Sequence, residues 1–203
     1  AGPNGIIGWN AAIAVPDVGA AFAGRNVGSL VGRPSAGAGA IEGAVDLPYA
    51  IPNIRVAHCL ADCTAPLGFW RSVGHSFTGF IVESFVDELA AAAGADPGQF
   101  RLTMLKDKPR HAAVLAAVLE MGGPLGRDLG DDGAATAGPV VARGIALVES
   151  FGSIVAQIAE VEVAPNARPR VTRVWAAIDC GRVINPDTVA AQVEGGIVFG
   201  LSA

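Results

Sequence analysis

Two glycines, Gly68 and Gly74, bracket the run Phe69-Trp70-Arg71 and lead straight into an apolar segment. In that segment Phe77, Phe80, Ile81, Phe85 and Leu89 recur at spacings of three and four, the period of an α-helix. A helix is expected over about 76–93, with Ser76 as N-cap and Gly94 as its stop. Such a helix must bury one side, and the glycine loop must bring the chain to its N-terminus. Several amides there lack intrahelical partners and the helix dipole adds positive potential, so the position suits an anion. Arg71 adds a permanent charge with a forked donor geometry. On chemistry alone, this points to a ligand carrying phosphate or pyrophosphate. The plainer alternative is a glycine loop that binds nothing, with Arg71 paired to a surface acid and Trp70 in the core.

The rest of the chain divides around one stretch. Residues 122–139 are dense in Gly, Pro and Asp and read as a linker. Before it, residues 5–15 and 53–63 read as strands, and 16–46 as Gly/Ala/Ser-rich loop with one short helix. A helix follows Asp96-Pro97 and runs to about Leu105, with Asp as cap and Pro at the first position. Another covers 109–121 and stops at Gly122-Gly123-Pro124. After the linker, residues 142–150, 153–163 and 170–179 read as strands, the last two joined by a turn at Pro165-Asn166. A final helix from Asn185-Pro186-Asp187 carries Val189, Val193, Ile197 and Leu201 on one face. The expected class is α+β: a helical lobe over 1–123, a linker over 124–139, and a small, mostly antiparallel strand-rich lobe with a terminal helix over 140–203.

Composition removes several function classes. A net charge of −5 and scattered basic residues leave no basic stripe for nucleic acid. No apolar stretch approaches the roughly 18 residues that span a bilayer. Hydrophobic content is 51% while charged residues make up only 16%, a balance that suits a piece covered by other polypeptide. Three cysteines build no disulfide framework. Cys59 and Cys63, beside His58, lack the second ligand pair of a zinc site, and no iron–sulfur spacing occurs.

Two segments carry a family resemblance. One is Trp70-Arg71-Ser72-Val73-Gly74-His75, followed by Glu83–Ala90. The other is Asp179-Cys180-Gly181, Asn185-Pro186, Gln192, Glu194-Gly195-Gly196 and Gly200-Leu201. With Phe151-Gly152-Ser153, Glu160–Val163 and the run Leu47–Asn53, they resemble the large, molybdopterin-binding subunit of the xanthine dehydrogenase/aldehyde oxidoreductase family. The nearest branch is the isoquinoline 1-oxidoreductase beta-subunit type. The resemblance follows nearly the whole chain in register and order, and its specificity lies in the set of motifs rather than in any one.

The resemblance implies a role for each matching residue. Trp70, Arg71, Ser72, Val73 and Gly74 would lie beside a molybdenum-bearing pterin, as a free molybdopterin or its cytosine dinucleotide. Gln192 matches the family's cofactor-contacting Gln, and a side-chain amide suits a pterin edge because it donates and accepts together. Phe151 is expected near the substrate funnel. The family's catalytic Glu lies in a Gly-x-Gly-Glu motif that does not occur here, and the glycine-rich Gly-Gly-x-Phe-Gly-Arg-Arg segment is also absent. No catalytic residue is therefore assigned, and the chain is expected to be a piece of a longer subunit, inactive alone. The parent is expected to oxidise an aldehyde or hydroxylate an N-heteroaromatic carbon, passing electrons to a [2Fe–2S] partner subunit. Ala40 stands where purine-oxidising relatives carry a substrate-gripping Arg, which disfavours xanthine. Two alternatives come from other classes. One is a non-catalytic scaffold that binds no cofactor alone. The other is a generic nucleotide module, which calls for a βαβ pattern that the sequence does not display. Glu83, Asp87 and Glu88 are read as a solvated or interface face rather than a base cluster.

Overall fold

A computed structural model describes residues 1–2, 4–26, 38–127, 139–164 and 168–202. The class is α+β, as expected. Strand β1 (Trp9–Val15) leads to helix α1 (Val18–Asn26), and strand β2 (Ile54–Leu60) returns beside β1 in parallel, with Trp9 opposite Ile54 and Val15 opposite Leu60. This parallel pairing is not visible in the sequence, because the residues between the strands show no clean period. Helices α2 (His75–Ala92), α3 (Pro97–Met104) and α4 (Pro109–Gly122) follow. Asp96 caps α3 as expected, its carboxylate accepting the Gln99 N–H at 2.8 Å.

A four-stranded antiparallel sheet runs in the order β3 (Gly126–Arg127), β4 (Val140–Ser150), β5 (Ser153–Val163) and β6 (Arg170–Asp179). Strands β4 and β5 join through Phe151-Gly152, both with positive φ (51° and 79°). That is the type I′ geometry whose twist matches paired strands. The turn placed at Pro165-Asn166, and most of the linker placed at 124–139, lie outside the described residues. The final helix is α5 (Pro186–Ser202).

The core lies where α2 and α4 cover the sheet. Val82, Val86, Val114, Leu115 and Val118 pack with Ile145, Leu147, Ile154 and Ile158. Gly122 lets α4 approach β5, since a Cβ there would stand 2.6 Å from Ile158 Cδ1. Arg143 on β4 pairs with Glu160 opposite it and donates to the Gly122 carbonyl at 2.9 Å, satisfying an acceptor at the C-terminal end of α4.

The buried face of α2 differs from the one suggested by its aromatic residues. Thr78, Val82, Glu83, Val86 and Ala90 point inward, whereas Phe80 is 75% exposed and Ile81 and Phe85 are also exposed. The helix is apolar nearly all round, so its period does not choose a face. Glu83 is no solvated acid; it is 4% exposed. It accepts the Tyr49 hydroxyl (2.8 Å), the Arg101 Nε–H (3.0 Å) and the Leu147 N–H (2.8 Å). Arg101, fully buried, also donates to Asp87 and to the carbonyls of Pro97 and Glu83.

Candidate functional site

The loop before α2 and one face of α5 form an open cleft of about 550 Å³. Its loop side is Trp70, Arg71, Ser72 and Ser76. Its helix side is Gln192, Gly195, Gly196, Phe199 and Gly200, with Ala191 beside them. The α5 residues fall at i, i+3, i+4, i+7 and i+8, which places them on one helical face. The stripe Val189, Val193 and Ile197 lies on another face and looks across a groove to Val174, Ala176 and Ile178 of β6.

Four of the expected cofactor residues, Trp70, Arg71, Ser72 and Gln192, therefore meet in one cleft although more than a hundred positions separate them. Val73 and Gly74 line an adjoining pocket of about 290 Å³, on the side of Gly39, Ala40 and Phe77. Trp70 and Ser76 border both. Phe151 lies elsewhere: it forms the β4–β5 turn, is 80% exposed and does not line the cleft.

Two local expectations for the loop need revision. Ser76 does not cap α2; the cap position is Gly74, with no side-chain cap bond. The Ser76 hydroxyl instead lies 2.7 Å from that of Ser72 and 2.7 Å from the Val73 carbonyl, to which it donates. The Gly74 N–H, one of the amides at the start of the helix that suit an anion, already donates to Glu42 Oε1 at 2.9 Å. That bond also weakens the nucleotide-module reading, even though β1, α1 and β2 precede the loop. His75 points inward: Nδ1 lies 3.4 Å from both Glu42 Oε1 and the Ser150 hydroxyl, and Nε2 is buried with no hydrogen-bond partner among the described residues.

Gly195 and Gly196 test whether a large ligand fits. Glycine within a helix costs about 1 kcal/mol against alanine. The usual reason for it is the close approach of another group. Here a Cβ at either position would meet no atom within 4 Å. No part of the described chain packs on them, and they open onto the cleft. Arg71, the Ser72 hydroxyl and the Gln192 amide supply a cation, a hydroxyl and an amide around that smooth wall. Such a cleft lies within the volume range of small-molecule and cofactor sites. The residues present therefore fit a pterin with an anionic tail.

Phe199 was not singled out from the sequence. Its ring lies 5.2 Å from that of Trp70 and joins the two walls of the cleft. The available signal was its place seven residues after Gln192, on the same helical face.

The approach to α5 is also fixed. Asp179 accepts two bonds from Arg110, at 2.7 and 2.9 Å, and one from the Gly181 N–H at 2.9 Å. These bonds, the Arg110 pair foremost, hold its carboxyl well below the usual range. Gly181, at φ 78°, turns the chain toward α5.

Comparison with known proteins agrees with the motifs. Residues 132–203 match the family described as molybdopterin cofactor-binding domain. The chain is 37% identical over 155 residues to the beta subunit of isoquinoline 1-oxidoreductase from Brevundimonas diminuta, covering 76% of this chain and 19% of that subunit. It is 32% identical over 163 residues to a subunit of nicotinate dehydrogenase from Pseudomonas putida, covering 74% and 13% respectively. It is 31% identical over 161 residues to a membrane-bound aldehyde dehydrogenase of Gluconacetobacter polyoxogenes whose name specifies pyrroloquinoline quinone, covering 70% and 20%. The chain spans a fifth or less of the length of these relatives.

Proposed function

We propose that this chain, a relative of molybdopterin-binding oxidoreductase large subunits, supplies part of the cofactor cleft of a molybdenum hydroxylase. The observation that carries this reading is the joining of Trp70, Arg71 and Ser72 with Gln192 and the bare Gly195-Gly196 wall. Arg71 would neutralise an anionic tail, Ser72 would offer a hydroxyl, and Gln192 would hold a pterin edge by paired donor and acceptor. Trp70 and Phe199 would keep the cleft walls at a fixed spacing. When bound, the cofactor supplies two-electron oxidation of a carbon centre with oxygen drawn from water. The substrate class would be an aldehyde or an N-heteroaromatic ring, with electrons leaving through a [2Fe–2S] partner subunit. The cofactor would be molybdopterin or its cytosine dinucleotide. Val73 and Gly74 would support the loop from behind. Phe151, exposed at the β4–β5 turn, would face a substrate outside the cleft lining, on a path completed by other polypeptide. We further propose that residues 1–123 and 140–203 act as two lobes of one cofactor domain, joined by 124–139.

In the assembled enzyme, Arg71→Ala should reduce molybdenum occupancy or turnover at least tenfold, because a hydrogen bond to a charged group is worth about 1.5–3 kcal/mol. Its melting temperature should be unchanged. Elemental analysis together with pterin fluorescence reads the result. Normal occupancy and normal turnover in the variant would sink the assignment. Bound quinone without molybdenum would instead favour the cofactor in the aldehyde dehydrogenase's name. A protein free of both would favour the scaffold reading.

A further inference from the structure

Glu42 belongs to none of the motifs, yet it shapes the loop of the cleft. Its Oε1 accepts the Gly74 N–H at 2.9 Å, and its backbone carbonyl accepts the Thr78 hydroxyl at 2.6 Å. The same hydroxyl lies 3.0 Å from the Gly74 carbonyl. The packing is close enough to exclude any side chain at position 74: a Cβ there would stand 2.7 Å from Glu42 Cγ and 2.8 Å from the Gly39 carbonyl oxygen. Val73, one residue earlier, is held at φ 47°. That conformation is strained for a β-branched residue and persists only where its surroundings impose it. A turn bond from the Val73 N–H to the Trp70 carbonyl, 3.1 Å, passes the constraint to the cleft wall.

We propose that Glu42 is a positioning residue, a carboxylate built into the chain that occupies the anion position at the start of α2 and so fixes Trp70–Ser72 opposite Gln192. A tethered carboxylate competes at high effective concentration with any free anion for that amide, and its charge repels a second anion. The consequence rests on the function proposed above: an anionic cofactor tail is met on the cleft side, by Arg71, Ser72 and Gln192, and not by the Gly74 amide.

Amide NMR on the 203-residue chain tests both parts. Glu42→Ala should speed Gly74 amide exchange about tenfold, the worth of one charge-assisted bond. It should also move the Trp70–Ser72 resonances. Sodium formate should reverse these changes in the variant and leave the wild type unaltered, with sodium chloride at equal ionic strength as the control. Should Glu42→Ala not fold, Glu42→Gln serves, because a neutral acceptor binds the amide less strongly. Gly74 exchange should then rise severalfold, with smaller shifts in the same loop residues. Unchanged Gly74 exchange and unmoved Trp70–Ser72 resonances overturn the positioning role. Inorganic pyrophosphate added to the wild type should shift Arg71, Ser72 and Gln192 but not Gly74. A pyrophosphate shift at Gly74 overturns the placement of the tail. No pyrophosphate shift anywhere overturns that placement and counts against the cleft as an anion site, while the Glu42 results still decide the positioning role.

Discussion

Arg101 is the residue on which the interior depends most. It has no exposed surface and is the only cation that contacts Glu83 among the described residues. Burial pushes the Glu83 carboxyl upward, while the guanidinium, the Leu147 N–H and the Tyr49 hydroxyl act in the opposite sense. Removing one partner of such a pair leaves an uncompensated buried charge. Arg101→Ala should therefore destabilise the chain by about 3–5 kcal/mol in urea denaturation. A loss below about 1 kcal/mol, the range of an exposed pair, would contradict the account. Asp179 shows the opposite shift at the surface. Its folded pKa lies below the unfolded value, so its contribution to stability is present above the unfolded pKa and is lost as pH falls through the folded one. Arg110→Ala should move the Asp179 titration, followed by carboxyl carbon NMR, back toward the ordinary aspartate range. An unmoved titration would mean that the Gly181 amide alone sets it.

One element depends on a single small residue, another on distant polar partners. The C-terminal end of helix α4 approaches β5 closely because Gly122 carries no side chain opposite Ile158. Gly122→Ala should cost about 1–3 kcal/mol by overpacking. Adding Ile158→Val, which removes the atom nearest the new methyl, should restore part of the loss. If the double variant is no more stable than Gly122→Ala alone, that contact is not the cause. Helix α2 shows the limit of periodicity at this scale. Its apolar residues encircle it, and the face that is buried is the one carrying Thr78 and Glu83. Arg101 on α3 and Leu147 on β4 make that possible by satisfying Glu83.

At the scale of the molecule, much apolar surface remains uncovered. Ile7, Phe80, Ile184, Val198 and Leu201 are all more than half exposed, and α5 has no buried residue. So many exposed large apolar side chains favour contact with other protein. The 203-residue chain should therefore bind a hydrophobic dye and self-associate in sedimentation velocity. A sharp monomer peak without dye binding would show that these side chains find cover within the chain.

The sequence by itself determined the elements and the chemistry available. Apolar period, caps such as Asp96-Pro97 and stops such as Gly122-Gly123-Pro124 were enough to place the last four helices and the three long strands, since caps, stops and periodicity are local properties; α1 (Val18–Asn26), within a stretch without a clean period, was not located. The motifs also named Arg71 and Gln192. Only the tertiary structure decided which residues meet. Parallel pairing of β1 with β2 has no local signature, because its cost and gain arise between distant segments. The burial of Glu83 required Arg101, eighteen positions away. Phe151 was expected near the substrate, and the hairpin places it at an exposed turn that does not line the cleft. The Gly74 amide looked free for an anion in the sequence, and the fold brings Glu42 to it from thirty-two positions away. Local pattern records what a residue can do, while long-range packing settles which partner it does it with.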